Sequence, residues 1–423
     1  MELMEKEKAG FKKSRLGLIP EDWEIINLKA LGKFSKGKGV RKDEAQSGNI
    51  PCVRYGEIYT KHNDYIKEFY SFISADVSQE ARKIKYGDLL FAGSGETKEE
   101  IGKTVALTKN VEGFAGGDIV IMSIYNLDRY SPLFLGYLLN TPLLQREKAS
   151  LGQGDAIVHI SAKALENINV SVPPTLEEQQ AIATALSNTD ALITGLGKLI
   201  SKKKAIKQGA MQQLLTPPSK GGKRLPGFSG EWEEKNLGEL GACIIGLTYS
   251  PSNVVDSGVL VLRSSNIQNG RLSFINNVFV NMDIPQKLRT QIDDLLICVR
   301  NGSKNLIGKC ALIDERCENE SFGAFMSIYR SPYNKLISQL FQTDIIQKQI
   351  DENLGATINQ ITNKVLNSFV VWIPKEENER KSIADILTSM DKEIEALEAK
   401  KVKYKKVKQG MMQELLTGKT RLV

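Results

Sequence analysis

An internal repeat of about 200 residues is the feature that most constrains this chain. Residues 175–216 align without a gap on residues 376–417, and 17 of these 42 positions are identical. The densest identity is at the end, where residues 207–216 return as residues 408–417. Marker residues further forward also recur at drifting offsets, for example Trp23 and Trp232. The chain therefore holds two copies of one module, each with a divergent front and a better-preserved tail.

The preserved tail has the pattern of a long helix. From Ile383 to Leu415, eight of the ten heptad a/d positions are apolar or aromatic, and from Ile182 to Leu214 seven of ten are apolar. A heptad pattern of this length predicts a coiled-coil seam. Prolines at 173, 174 and 374 end the preceding segments, so each helix should begin just after them. A long single helix cannot bury its seam alone, and the nearest partner is the other copy.

The fronts have a mixed α/β pattern. Short apolar runs at residues 88–91 and 119–122 predict strands, and residues 132–144 and 332–346 each predict one short helix. Residues 216–223, rich in proline, glycine and lysine, form a linker. The predicted fold class is α+β: two α/β heads and two long antiparallel helices, related by a pseudo-twofold repeat. The predicted limits are 1–173 for the first head, 174–216 for the central helix, 217–374 for the second head and 375–423 for the distal helix.

Composition excludes several functional classes. The net charge of +7 and pI of about 8.9 favour an anionic partner only mildly. Five cysteines without a CxxC pair and only two distant histidines argue against a metal site and fit a reducing cytoplasm. The sequence has neither a run of 18 apolar residues nor a signal-like pattern at residues 1–6, so we expect no membrane span and no secretion. No cofactor is indicated.

Four ordered motifs carry a family resemblance. They are the opening motif at residues 18–23, Ile101-Gly102-Lys103, the Glu-Glu-Gln-Gln run that begins at Glu177 after two prolines, and the Lys-Gln-Gly-x-Met-Gln-x-Leu-Leu-Thr ending. With the duplication, the chain resembles the specificity subunits of type I restriction-modification systems over nearly its whole length. The departures are small: the second opening motif has three more residues between proline and tryptophan, and Glu379-Arg380-Lys381 stands where the first copy has Glu178-Gln179-Gln180.

The resemblance implies a function and a set of partners. Each head would be a target-recognition domain for one half of a bipartite, asymmetric site in double-stranded DNA. The helices would separate the heads and bind two methyltransferase (M) subunits, which endonuclease/translocase (R) subunits would join. A stand-alone DNA-binding regulator is the alternative function. A purely structural coiled-coil scaffold would explain the helices but not the duplicated heads.

The sequence gives no sign of catalysis. An Asn-Pro-Pro-Tyr/Phe motif is absent, so an amino-methylating site would lie on another chain. Gly102-Lys103-Thr104 resembles the end of a phosphate loop, but six residues separate Gly95 from Gly102 where the motif needs four. The second copy has Cys310 in place of the hydroxyl residue. We interpret this segment as a tight strand connection whose lysine is free to meet phosphate.

Several loops are candidates for DNA contact. Lys33, Lys36, Lys38, Arg41 and Lys42 form a basic loop that suits phosphate contact, with a plain solvated loop as the default interpretation. The arginines at 54 and 263 recur in both copies, which favours a phosphate or structural role and leaves their differing neighbours as specificity candidates. The loops 93–98 and 300–304, and 152–159 and 355–360, offer polar side chains for base edges or simply form turns. The predicted DNA-contacting residues are Lys36, Lys38, Arg41, Arg54, Tyr55, Ser94, Thr97, Lys98, Lys103, Gln153, His159, Arg263, Ser265, Asn266, Arg300, Asn301, Ser303, Lys304, Lys309, Asn359 and Gln360.

The helices carry two further features. Lysines 202–204 and those between 400 and 408 suggest a solvated face, or contact with spacer phosphates or a partner. A glycine interrupts each helix at the same register, which suggests a close approach of helices or of a partner's backbone. The predicted subunit contacts are Gln208, Gly209, Met211, Gln409, Gly410 and Met412.

Overall fold

The structure is a computed structural model that describes residues 10–354 and 359–422. Residues 1–6, used above to argue against a signal, and residues 355–358 of the loop matched to 152–159 lie outside the described part. The chain divides into two compact units. Unit 1 combines residues up to Leu196 with the segment from Lys400, and unit 2 runs from Gly197 to Ala399. Each unit thus contains one head, the first part of one long helix and the last part of the other.

The first head contains short strands and helices. Its strands are β1 (Phe11–Ser14), β2 (Gly17–Pro20), β3 (Glu24–Asn27), β4 (Gly32–Lys36), β5 (Ile50–Val53), β6 (Ser71–Ile73), β7 (Arg82–Ile84), β8 (Asp88–Ala92), β9 (Ser94–Gly95), β10 (Thr104–Ala106), β11 (Gly113–Ala115), β12 (Ile119–Ile124), β13 (Val158–His159) and β14 (Asn169–Val172). Its helices are α1 (Leu28–Leu31), α2 (Tyr55–Thr60), α3 (Ala75–Glu80), α4 (Pro132–Leu138), α5 (Pro142–Leu151) and α6 (Ala162–Glu166).

The second head follows the long helix α7 (Leu176–Leu214). Its strands are β15 (Trp232–Asn236), β16 (Ala242–Ile245), β17 (Val254–Val255), β18 (Val259–Leu262), β19 (Ile267–Gln268), β20 (Arg271–Leu272), β21 (Phe279–Val280), β22 (Leu295–Cys298), β23 (Cys310–Leu312), β24 (Ser321–Phe322), β25 (Met326–Arg330) and β26 (Val370–Pro374). Its helices are α8 (Leu237–Leu240), α9 (Asn334–Leu340), α10 (Asp344–Asn353) and α11 (Asn363–Asn367), and α12 (Glu377–Leu415) is the second long helix.

The two heads repeat one topology. An antiparallel sheet has the order β10-β8-β12-β4 in the first head and β23-β22-β25-β16 in the second. A second four-stranded sheet contains a parallel pair, β5 with β11 in the first head and β18 with β24 in the second. Its fourth strand differs, because β7 joins β11 in the first head whereas β17 joins β21 in the second. The heads are therefore variants of one scaffold, as the repeat predicts.

The long helices begin where the prolines predict. Each has 39 residues, and they start at Leu176 and Glu377. Within unit 1, Thr189 contacts Met411 and Asp190 contacts Lys408. Within unit 2, Lys203 contacts Glu393 and Lys207 contacts Asp391. In both units, residues later in α7 contact residues earlier in α12, so the two helices are antiparallel.

One prediction about the heads is wrong in detail. Residues 132–144 do not form one helix, because α4 ends at Leu138 and α5 starts anew at Pro142. Proline fixes its own backbone angle and lacks an N–H, so it suits the first position of a new helix and interrupts a continuing one. The second copy breaks similarly between α9 and α10.

The hydrophobic cores follow the units. The core of unit 1 surrounds Trp23 and includes Leu186 of α7 and Leu415 of α12. The core of unit 2 includes Met211 of α7 and Leu387 of α12. Each head is therefore anchored to both helices by buried side chains. No helix within residues 10–354 and 359–422 is long and apolar enough to cross a membrane.

Candidate nucleic-acid interface

One end of the antiparallel sheet gathers the predicted loops in each head. In the first head, Gly93 after β8 donates its N–H to Asp118 before β12, at 2.7 Å, and Gly37 after β4 donates to Ile119, at 2.8 Å. In the second head, Arg300 after β22 donates its backbone N–H to Phe325, at 3.1 Å. The loops that leave the strands here lie side by side.

In each head, a close approach of two glycine backbones fixes the loop that follows the edge strand, β4 in the first head and β16 in the second. A side chain on Gly37 would collide with the carbonyl oxygen of Gly116, and one on Gly246 would collide with that of Gly323. Only glycine permits so close an approach of two backbones. The basic loop after Gly37 and the segment after Gly246 are thus held at equivalent positions. These glycines escaped the sequence analysis, because drifting offsets hid their match.

Two distant loops pair at this end of the sheet. In the first head, Val158 and His159 form a short ladder with Ser94 and Gly95, and Ser94 Oγ lies 2.8 Å from His159 Nδ1. In the second head, Arg300 bridges to Gln360. Asn301 donates its N–H to the Asn359 carbonyl, at 3.2 Å. The structure therefore brings together two of the segments that sequence analysis selected separately.

The arginine loops join the same cluster. Tyr59 of α2 donates its hydroxyl to the Ser94 carbonyl at 3.0 Å, and Asn301 Nδ2 donates to Ser264 Oγ at 3.1 Å. Three segments far apart in sequence thus form one continuous surface in each head. We name it the loop surface; it comprises residues 54–59, 94–98 and 153–159 in the first head, and residues 263–266, 300–304 and 359–360 in the second.

The lysines of the strand connection are not free, contrary to our interpretation of them. Lys103 Nζ donates to the carbonyls of Tyr59 and His62, at 3.3 and 2.8 Å, and Lys309 Nζ donates to that of Ser264, at 3.4 Å. Burial lowers the pKa of the Lys103 ammonium. Both lysines tie the connection to the arginine loop, because the nearby carbonyls offer acceptors.

The other predicted DNA contacts differ in exposure. Asn266 is fully buried, and its side-chain amide donates to Ser273 and Asn277, which favours a structural role. Ser94 is also buried. The partly exposed ones are Arg54, Arg263, Ser265, Asn301, Asn359 and Gln360, and the exposed ones are Lys36, Lys38, Arg41, Tyr55, Thr97, Lys98, Gln153, His159, Arg300, Ser303 and Lys304.

The loop surfaces of the two heads differ in chemistry. Beside the first lies the basic loop with Lys38 and Arg41. At the equivalent place the second has a cleft of about 820 Å³, whose lining includes Leu247, Tyr249 and Arg263. A shared scaffold with different side chains is what two recognition surfaces of different specificity require.

A buried lysine supports the first loop surface, and the sequence analysis missed it. Lys148 of α5 is fully buried and donates to the Gly102 carbonyl at 2.6 Å and to Thr104 Oγ1 at 3.2 Å. Burial lowers its pKa to about 7. The equivalent contact with Gly308 in the second head is made by Ile350. Lys148 therefore holds the strand connection with a hydrogen bond where the second head uses apolar packing.

A lysine–aspartate lock joins the two helices in each unit. In unit 1, Lys408 pairs with Asp64 at 2.7 Å and with Asp190 at 2.9 Å, and Tyr137 donates to Asp190 at 2.6 Å. Although burial alone would lower it, both carboxylates hold the pKa of the Lys408 ammonium above its ordinary value. In unit 2, Lys207 pairs with Asp391 at 2.7 Å. The predicted solvated lysine face is therefore wrong for Lys408, whose side chain is only 14% exposed.

The predicted subunit contacts are mixed in exposure. Gln208 and Gln409 are exposed, whereas Met211 packs in the core of unit 2 and Met412 is partly buried against that of unit 1. A Cβ added to Gly209 or Gly410 would meet no described atom within 4 Å. The close helix approach that we considered for these glycines is therefore absent from the described residues.

Comparisons with known proteins agree with this duplicated architecture. The family model described as "Type I restriction modification DNA specificity domain" matches residues 20–207 and 229–404. The type I restriction enzyme MjaVIII specificity subunit of Methanocaldococcus jannaschii is 26% identical over 433 residues, which cover 98% of this chain and 97% of that protein. The putative MjaX specificity subunit of the same organism is 28% identical over 445 residues, which cover 98% and 97%.

Solved structures share the fold. The crystal structure of the type I restriction-modification system S subunit from M. genitalium superposes with a TM-score of 0.61 at 15% identity, covering 93% of this chain and 96% of that one. A structure from work on assembly and conformational transition of the type I system gives a TM-score of 0.52 at 16% identity, covering 95% and 99%. The molecule is thus a duplicated, two-headed protein with an antiparallel helix pair. The chain belongs to the family of DNA specificity subunits of type I restriction-modification systems.

Proposed function

We propose that this chain binds double-stranded DNA at a bipartite, asymmetric site and positions two methyltransferase subunits and the endonuclease subunits around it. The observation that carries the proposal is the loop surface, which is assembled from equivalent segments in both heads but with different side chains. Equivalent segments give both heads the same way of meeting a duplex. Different side chains give them different target sequences, so the two half-sites should differ.

The division of roles within the chain follows from that surface. We propose target-recognition domains at 1–173 and 217–374, with the conserved helices at 174–216 and 375–423. The exposed lysines and Arg41 of the first head would contact phosphates, and exposed polar side chains of the loop surfaces would reach base edges. We place the protein in the cytoplasm, where its DNA substrate lies.

Catalysis would belong to the partners. The target adenine's amino group is unreachable inside the base stack, so each methyltransferase would flip its base out of the duplex. The specificity subunit would contribute geometry, by bringing both methyltransferases to one site. The names of the relatives favour this assignment over a stand-alone regulator.

The decisive experiment exchanges one head. Residues 225–373 are replaced by the corresponding head of a relative, the chain is produced with its methyltransferase subunits, and methylated adenines are mapped across a genome. We expect one half of the methylated motif to change and the other to stay the same, because the first loop surface is untouched. A change in both halves would contradict independent recognition by two heads.

A second prediction concerns the helix glycines. Gly209→Ala and Gly410→Ala should each stabilise the free subunit by about 1 kcal/mol, because alanine is the better helix former and the added methyl group meets nothing. If a partner's backbone approaches these glycines, the same variants should retain less methyltransferase on co-purification. Gly195→Ala is the matched control, since Gly195 has similar free space but its counterpart is Ala396. If all three variants retain the same amount of methyltransferase, Gly209 and Gly410 do not lie at the interface with that subunit.

A further inference from the structure

Arg300 in the second loop surface lies on an open aromatic platform. Its Cζ atom is 5.0 Å from the centroid of the Phe325 ring. Phe325 is 56% exposed, so the pair faces solvent. The Arg300 backbone N–H also donates to the Phe325 carbonyl, which fixes the two residues beside each other. Stacking on a ring face holds the plane of a guanidinium group.

The donors of this guanidinium are unused. The second head has seven arginines, and within the described residues Arg300 is the one whose side chain donates no hydrogen bond to the protein. The others are engaged: Arg224 with Glu379, Arg263 with Asn276, Arg271 with Glu398, Arg289 with Asn319, Arg316 with Asp314, and Arg330 with Asp294. A guanidinium group that is held in one plane can donate two parallel hydrogen bonds to a pair of coplanar acceptors on a bound ligand.

We propose that Arg300 reads a guanine in the second half-site through the O6 and N7 acceptors of that base. The proposal rests on the proposed function, because it assumes that this head binds DNA. Arginine paired with guanine in this way is the commonest specific contact in the major groove. Phe325 is a positioning residue, since its ring sets the plane in which the guanidinium meets the base edge.

The comparison between heads favours a base over a phosphate. Strand pairing places Ser94 and Asp118 of the first head where the second head has Arg300 and Phe325. The first head therefore offers a hydroxyl and a carboxylate there, and no guanidinium. Phosphates are common to both half-sites, so a residue that holds phosphate could recur in both heads. A residue that recognises a particular base, in contrast, is expected in only one head, because the two heads bind different sequences.

The test uses modified DNA. The second half-site is the one that changes when residues 225–373 are exchanged. Each of its guanines is replaced in turn by 7-deazaguanine, which lacks the N7 acceptor, and affinity is measured for the full chain with its methyltransferase subunits. At one guanine the unaltered protein should lose about ten-fold in affinity. The Arg300→Ala variant should bind the unmodified site more weakly and should no longer respond to the replacement.

Two further variants separate positioning from stability. Phe325→Leu keeps an apolar side chain but removes the ring, so it should reduce the response to 7-deazaguanine at that base. Arg316→Ala is the matched control, because Arg316 also stacks on a ring, that of Phe274 at 4.8 Å, but its donors are held by Asp314. It should leave both affinity and the response unchanged.

Three results would overturn the proposal. One is a second half-site without guanine or without any response to 7-deazaguanine. Another is a response that persists in Arg300→Ala. The third is an Arg300→Ala variant that weakens binding to all sequences alike and flattens the salt dependence, which is the behaviour of a phosphate contact. If the unaltered complex binds no mapped site, the proposed function itself fails.

Discussion

Replacing Lys408 with methionine is expected to destabilise unit 1 by roughly 3–5 kcal/mol, because it leaves the buried carboxylates of Asp64 and Asp190 without a cationic partner. The side chains of all three residues are at most 14% exposed, so water cannot replace the lost ammonium. Methionine retains helix propensity, and the loss therefore reports the ion pairs. Urea unfolding can be followed by Trp23 fluorescence in a chain whose other tryptophans, Trp232 and Trp372, are changed to phenylalanine.

The repeat supplies controls for this prediction. Lys207→Met removes the equivalent lysine, but Asp391 is 34% exposed, so the cost to unit 2 should be smaller. Lys406→Met changes an exposed lysine of the same helix and should shift stability by no more than about 0.5 kcal/mol. Adding Asp64→Asn and Asp190→Asn to Lys408→Met should recover part of the loss. If Lys408→Met behaves like Lys406→Met, the lock does not stabilise the unit.

Lys148→Ile is expected to stabilise unit 1, with the gain largest in acid. The pKa of Lys148 is about 7 in the folded protein and 10.5 in the unfolded chain, so between these pH values the unfolded chain binds a proton that the folded protein does not. Burial of this charge costs about 5 kcal/mol below pH 7, and the cost disappears as pH rises towards 10.5. Losing the hydrogen bonds to Gly102 and Thr104 removes about 1–2 kcal/mol. The net gain at pH 6 should be roughly 3 kcal/mol.

The same Trp23 reporter measures this effect at pH 6 and pH 9. The unaltered chain should lose roughly 3 kcal/mol of stability through Lys148 between pH 9 and pH 6, and Lys148→Ile should remove that part. The reciprocal change, Ile350→Lys, should introduce a similar pH dependence into unit 2, where Trp232 and Trp372 report. An unchanged pH dependence in Lys148→Ile would mean that the ammonium is not desolvated.

The sequence predicted those elements whose signals are local. Heptads and prolines lie within the helices that they define, so both long helices could be placed to within a few residues. The division of residues 132–144 was missed because the apolar pattern continues across the break at Pro142. The repeat indicated that each long helix pairs with the other, and the antiparallel orientation was part of the predicted fold class.

Features that depend on tertiary contacts could not be predicted. Lys408 lies among lysines of similar spacing, and nothing nearby in sequence marks Asp64 as its partner. Lys148 occupies an ordinary helical position, and only folding places it beneath the Gly102 carbonyl. The loop segments could be chosen one by one from their residue types, but their assembly depends on strand pairing between distant residues. Likewise, the stack of Arg300 on Phe325 joins two loops 25 positions apart.

The composition of unit 1 has a consequence for synthesis on the ribosome. Unit 2 is continuous from Gly197 to Ala399, whereas unit 1 also needs the segment that begins at Lys400. Leu415 and Leu416 belong to the same core as Trp23, and Arg421 pairs with Asp22 and Glu178. Domains generally fold as units while the chain emerges, with N-terminal segments first. Here the order is reversed: residues 197–399 can close first, and the N-terminal head must wait with an open core until the second long helix has left the ribosome.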